Sequence, residues 1–295
     1  MNKVFQKIFS GVEIVINKIN CLYLGRIKVT KNGLSDCPRE VPVIVSLTSY
    51  PGRINIVYRT IKTILTQIFK PDRVILWLSD EQFKGIPLPN NLTELEQYGL
   101  EIRWCEDIKS YKKLIPTLKE FPEAIIVTAD DDNYYSSDWL DKLYTSYTKN
   151  PECISAHKVT KFIRENGEWK WQAGGRYYYQ EPSFLNKLVG VGGVLYPPNC
   201  LYKDVCNSEL FMELAPTNDD QWFWFMAILS NTKIKVVDNP IIHSKPVEGS
   251  LSSGLWQVND RGDNLFRDQF RELLLHYPEA ERRMLDECRI GNDEG

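Results

Sequence analysis

The chain has 295 residues, 43% of them hydrophobic and 12% aromatic, with 17 Gly and 16 Pro. These proportions exclude a disordered or collagen-like chain, and the length suffices for one large α/β domain with a sizeable core. A formal charge of −3 excludes a protein whose main partner is a nucleic-acid backbone.

Charge is unevenly spread, with net +4 over residues 1–40 and −7 over the remainder. Within that basic segment, residues 3–24 place Val4, Ile8, Val12, Val15, Ile19 and Leu22 near the helical period, with Lys3, Lys7 and Lys18 between them. The apolar stretches are too broken for a secretory leader. Two readings stand: a basic amphipathic helix on an anionic inner leaflet, its charge extended by Arg26, Lys28 and Lys31, or a helix packed on the domain itself. A linker over about 30–40 then leads to a main domain over 41–290.

From Val41 the chain alternates strand-like and helix-like segments, the pattern of a parallel α/β sheet. The dense β-branched run VPVIVSLTSY predicts the first strand, ended by Pro51-Gly52, and residues 54–69 predict a crossover helix stopped by Pro71. RVILWLS (73–79) and LEIRWC (100–105) read as the second and third strands. Residues 111–121 read as a short helix bent at Pro116. AIIVTA (124–129) is the fourth strand and runs into Asp130-Asp131-Asp132, after which Ser137-Asp138 caps a helix over 139–149. Strand-like pieces, aromatics from Trp169 to Tyr179 and the stretch VGVGGVLY fill 153–200. A helix at about 220–230, a strand at 233–237, a polar loop from His243 to about 262 and a carboxyl-terminal helix over about 263–288 complete the domain. The longest apolar run, Trp222 to Leu229, is far shorter than the ~20 residues that span a bilayer as a helix. Seven cysteines form no Cys-x-x-Cys pair, which fits reduced thiols in a cytosolic protein.

Three adjacent carboxylates at the carboxyl end of a mid-sheet strand stand where open parallel sheets bind ligands. They raise one another's pKa unless a cation offsets the charge, and on an extended chain Asp130 and Asp132 project to one side while Asp131 points to the other. Hard oxygen ligands of this kind suit Mg²⁺ or Mn²⁺ bridged to a diphosphate. A second acidic pair, Asp219-Asp220, follows Asn218 and precedes Trp-Phe-Trp-Phe; it reads either as part of a helix cap or as a half-desolvated general base. Gly192 and Gly193, flanked by Gly190, would let a ligand approach the backbone, or simply bend the chain between strands. Arg53 and Lys113 lie where they would neutralise phosphate, and His243 is a candidate contact for metal or diphosphate. No Walker loop or dinucleotide-binding glycine pattern is present.

Taken in order, VPVIVSLTSYPGRI, the second strand ending at Ser79-Asp80, AIIVTADDDNYYSSDWLDKL and APTNDDQWFW resemble the landmarks of GT-A fold glycosyltransferases. The closest likeness is to family-2-like bacterial enzymes of capsule, O-antigen or lipopolysaccharide synthesis. The resemblance covers about residues 41–245. It implies a Rossmann-like, mostly parallel sheet flanked by helices, with a nucleotide-sugar half over 41–150 and a mixed acceptor half over 151–262. It further implies a nucleotide-diphospho-sugar donor, a glycan or lipid-linked acceptor, and Mn²⁺ or Mg²⁺ on Asp130 and Asp132, with His243 as a further ligand. Asp220 would be the base, assisted by Asp219. Thr48, Tyr50, Arg53, Asp80, Lys113, Asp131, Gly192, Gly193 and Trp222 would line the substrates, with Asp80 near the nucleobase. The outcome implied is inverting transfer by a cytoplasmic enzyme, peripheral on the inner membrane face. A sugar nucleotidyltransferase and a non-catalytic carbohydrate-binding protein are the alternatives.

Overall fold

The computed structural model describes residues 21–37, 39–173, 181–241, 244–250 and 265–293. Of the expected amino-terminal helix only the end, helical over 21–25, lies among them.

The strands are β1 (Val43–Thr48), β2 (Arg73–Ser79), β3 (Leu100–Cys105), β4 (Ile125–Ala129), β5 (Ile154–Ala156), β6 (Val159–Glu165), β7 (Glu168–Ala173), β8 (Asn186–Leu188), β9 (Val194–Tyr196) and β10 (Ile234–Val236). The helices are α1 (Val57–Ile64), α2 (Asn90–Thr93), α3 (Ile115–Glu120), α4 (Trp139–Lys149), α5 (Ser208–Leu214), α6 (Asp219–Leu229), α7 (Leu265–His276) and α8 (Pro278–Asp293). The main sheet has the order β10-β5-β9-β4-β1-β2-β3. Its pairings are parallel except around β9, which runs antiparallel to both β4 and β5. The fold is therefore α/β, with a mostly parallel sheet flanked by helices.

Alternation along β1 explains the layers. Val43, Val45 and Leu47 face the side packed by Val57, Ile61 and Ile64 of α1 and by Trp139, Leu140 and Leu143 of α4. Ile44 faces the opposite side, where Ile75, Trp77 and Ile126 meet α6 and the carboxyl-terminal helices. Side chains of successive strand residues point to opposite faces, so a strand covered on both faces must be apolar throughout. That is the reading VPVIVSL invites. Helix α6 is apolar all round, and Gln221 to Ile228 are all buried, as such a helix must be.

A second, antiparallel sheet, β7-β6-β8, stands beside the first. Its hairpin turns at Asn166-Gly167, both with positive φ, the conformation a two-residue loop with the strands' own twist demands. Two expectations change. The carboxyl-terminal helix is two helices, because Pro278 disfavours helical geometry at Tyr277 and itself opens α8. Asp138 occupies the N-cap position of α4 without capping it; its carboxylate pairs with Lys142 at 2.7 Å instead.

Candidate active site

The loops after β1, β4, β5 and β10 open on the same edge of the sheet, because these strands run in one direction. The aspartate triplet emerges there from β4. Asp131 turns inward and is buried; its carboxylate accepts Ser49 Oγ at 2.6 Å and Arg53 Nη1 at 2.7 Å. Its carbonyl accepts Thr60 Oγ1 of α1 at 3.0 Å. Arg53 also reaches Asp132 through Nη2 at 3.0 Å. Burial, reinforced by the charge of Asp130, pushes the Asp132 carboxyl up to about 7, and Arg53 opposes this only in part. Asp130 is the more open member, with its amide donating to Tyr135 Oη at 2.9 Å.

The second acidic pair arrives from the other side of the cleft. Asn218 caps α6 by accepting the Gln221 amide at 3.1 Å, which places Asp219 and Asp220 in the first turn, where the helix dipole favours carboxylates. Asp219 accepts Ser110 Oγ at 2.9 Å. Asp220 Oδ2 accepts the Gly190 amide at 2.9 Å, while its buried Oδ1 has no hydrogen-bond donor among the described residues. Burial raises the Asp220 pKa; Lys113 opposes the shift and the charge of Asp219 adds to it.

Lys113 joins the two acidic runs. Its buried ammonium lies 3.2 Å from Asp130, 2.8 Å from Asp219 and 3.8 Å from Asp220. Desolvation alone would make this lysine a weaker base, but the three carboxylates overcome it and hold the pKa well above its ordinary value. The expected phosphate ligand is thus an internal counter-ion. Arg53 is likewise committed to Asp131 and Asp132, and Asp131 itself is structural rather than substrate-facing.

Other expected contacts also change. Gly193 has φ +89°, and a Cβ on it would come within 2.4 Å of Trp139 Nε1; a Cβ on Gly192 would meet Lys158 and His157 at 3.1–3.2 Å. Their bareness serves packing, and the Gly192 carbonyl accepts Trp139 Nε1 at 2.8 Å. The glycine at the acidic cluster is Gly190, where a Cβ would lie 2.8 Å from both Asp220 Oδ1 and Lys113 Nζ. Trp222 is fully buried and donates to the Val205 carbonyl at 3.1 Å, so it cannot face an acceptor; Trp224 is buried too. Trp171 packs on Phe162 and Phe266, and Trp169 donates to Glu281 at 2.9 Å. Thr48 Oγ1 donates to the Trp77 carbonyl at 2.8 Å, tying β1 to β2, and Tyr50 lies beside Arg53. Asp80 is exposed at the end of β2. His243 and Tyr177 to Tyr179 lie outside the described residues. Reading by residue type passed over Ser49, Ser110 and Gly190; only Gly190 carried a signal, as a neighbour of the two glycines selected.

Among the described residues no three metal-ligating side chains form a ready cage. Asp130 and Asp132 nevertheless suit a hard divalent cation. Two oxygen ligands are what such an ion takes when substrate phosphate and water complete its shell, and the raised Asp132 pKa marks negative charge that a cation would relieve.

No family model matches the chain, and no curated relative matches it. Among solved structures, S. aureus TarS 1-349 is similar over 81% of this chain and 72% of its own, at 16% identity and a TM-score of 0.48. The mannosyltransferase PcManGT from Pyrobaculum calidifontis, in complex with GDP-Man and Mn²⁺, is similar over 97% and 85%, at 12% identity and a TM-score of 0.46.

Proposed function

We propose that the chain is a GT-A type glycosyltransferase that moves a sugar from a nucleotide-diphospho-sugar, with a UDP-sugar the expected donor, to a glycan or lipid-linked acceptor. One observation carries this reading: Lys113 draws Asp130, at the end of the central strand, and Asp219 and Asp220, at the start of α6, into a single charged cluster. Sequence motifs nearly ninety positions apart thus meet where metal-bound diphosphate and base must meet for such chemistry.

Asp220 is the base. Its raised pKa suits it to take a proton from an acceptor hydroxyl, while the Gly190 amide fixes Oδ2 and Lys113 lies 3.8 Å from Oδ1. As the acceptor oxygen bonds to the anomeric carbon from the face opposite the nucleotide, the bond from that carbon to the phosphate oxygen breaks. The nucleoside diphosphate leaves with the electron pair and the configuration inverts. Asp130 and Asp132 would hold Mn²⁺ or Mg²⁺, which when bound supplies Lewis-acid stabilisation of the departing diphosphate. Asp131, Ser49 and Arg53 keep that turn in shape, and Lys113 keeps the facing carboxylates together. The basic amino-terminal segment suits an enzyme working on the inner leaflet in bacterial surface polysaccharide synthesis, and no helix among the described residues is long and apolar enough to cross a membrane.

The test is to offer the full chain a panel of nucleotide sugars with Mn²⁺ or Mg²⁺ and measure nucleoside diphosphate release with and without glycan and polyprenyl-linked acceptors. Release that requires the metal is expected, lost in Asp132→Ala and Asp220→Asn. Binding without turnover would point to a carbohydrate-binding protein, and pyrophosphate release from a nucleoside triphosphate to a nucleotidyltransferase; either would overturn the reading.

A further inference from the structure

Lys158 is a lysine on the same sheet edge as Asp130 that has no carboxylate partner among the described residues. It follows β5, which runs parallel to β4 through the shared antiparallel partner β9, so it emerges on the same sheet edge as Asp130. The half-buried side chain packs against Gly192, whose missing Cβ leaves it room, and its carbonyl accepts the Val189 amide at 3.1 Å. Its ammonium donates to Ser244 Oγ at 2.5 Å, on the segment after β10. Among the described residues no carboxylate lies within ion-pairing distance of it, in contrast to Lys113, which meets Asp130, Asp219 and Asp220. Burial pushes the Lys158 pKa down and the charge of Asp130 acts against it, so the ammonium feels Asp130 across the cleft without touching it.

A desolvated ammonium whose partner among the described residues is a neutral hydroxyl is stabilised when an anion arrives. Lys158 Nζ and Ser244 Oγ stand together, two groups able to donate to one anion. We infer that Lys158 and Ser244 form a phosphate-binding point beside Asp130 that takes the outer phosphate of the leaving nucleoside diphosphate. The inference rests on the transfer reading above and adds a fixed protein charge for the group that departs. Transfer then leaves the negative charge developing on the broken phosphate–carbon oxygen bond next to a cation that needs no reorganisation.

Titration of the full chain with inorganic pyrophosphate in Mg²⁺ tests the site directly. Lys158→Gln should bind pyrophosphate about tenfold more weakly, Lys158→Arg should stay close to the parent, and both should melt near the parent temperature. Equal pyrophosphate affinity for Lys158→Gln and the parent, or no binding to the parent, overturns the inference. An unchanged pyrophosphate affinity together with a raised KM for a phosphate-bearing acceptor would also overturn it, by assigning the lysine to the acceptor. Nucleoside diphosphates bound no more tightly than pyrophosphate would sink the nucleotide reading while the phosphate site stood.

Discussion

Asp130–Asp132 ends a central strand and Asp219–Asp220 begins a helix, and the two runs carry their charge in different ways. In the first, the middle residue goes to the scaffold: Asp131 is buried under Ser49 and Arg53, leaving its neighbours to face the cleft. In the second, the scaffold takes Asp219 through Ser110 and Lys113, and the helix dipole and the Gly190 amide hold Asp220, with Lys113 3.8 Å from its other oxygen. A strand end offers alternating directions, so one of three acids must turn inward; a helix start offers amides and a dipole, so adjacent acids can stay together. Acid runs at a site are therefore not interchangeable carboxylates. Each contains a member tied closely to neighbouring side chains and another held less closely.

That distinction breaks if structural and chemical members respond alike to substitution. The largest effect is expected at the chemical ones: Asp132→Ala and Asp220→Asn should each lower kcat by about a thousandfold with little change in melting temperature. Asp131→Ala should act on stability instead. It removes one of the two carboxylates that hold the buried Arg53 guanidinium and the acceptor of Ser49 Oγ, and denaturant unfolding should report a loss of about 3 kcal/mol.

An acid-stability profile sharpens the contrast, because the buried His157 near the cleft is uncharged. Burial pushes its pKa down to about 4; its ring donates through Nε2 to the Trp139 carbonyl and accepts the Ile241 amide at Nδ1. In the unfolded chain the pKa is about 6.5. The unfolded state therefore binds the proton first, so this contribution is complete above pH about 6.5 and is lost as the pH falls toward about 4. The loss is of the order of 3 kcal/mol, readable as a falling denaturant midpoint that His157→Gln should flatten.

Gly190→Ala places a methyl 2.8 Å from Asp220 and Lys113 and should cost about a hundredfold in kcat while sparing nucleotide affinity. Smallest is Trp222→Phe, which should lower stability by about 1–2 kcal/mol and leave the acceptor KM unchanged, since the indole is in the core. A raised acceptor KM there would restore Trp222 to the substrate site.

Much of the architecture was legible because it rests on local pattern. RVILWLS coincides with β2, a strand covered on both faces that needs a continuous apolar run, and LEIRWC with β3, an edge strand whose apolar and charged residues alternate. Asn218 before two acids and an apolar octet announced the start of α6. Of the candidate site, the aspartates are legible because carboxylates in a row at a strand end have few uses. Lys113 and Arg53 stand out in the sequence as cations after strand-like segments, but their carboxylate partners do not, because partner choice depends on distances between elements. Trp222 was misread for a related reason. An aromatic run looks the same in a core as at a sugar site, and only the packing of Phe211 and Tyr277 against its ring separates them.

By itself the sequence determined the alternation of strand and helix, the apolar faces and the positions of the two acid runs, because periodicity, branching and capping act over a few residues. Only the tertiary structure decided which carboxylates turn inward, that β9 runs against its neighbours, and that Lys113 lies among three aspartates from two distant segments. Those outcomes follow from long-range contact and desolvation, where the energy of a charge is set by what the fold brings within a few ångströms of it.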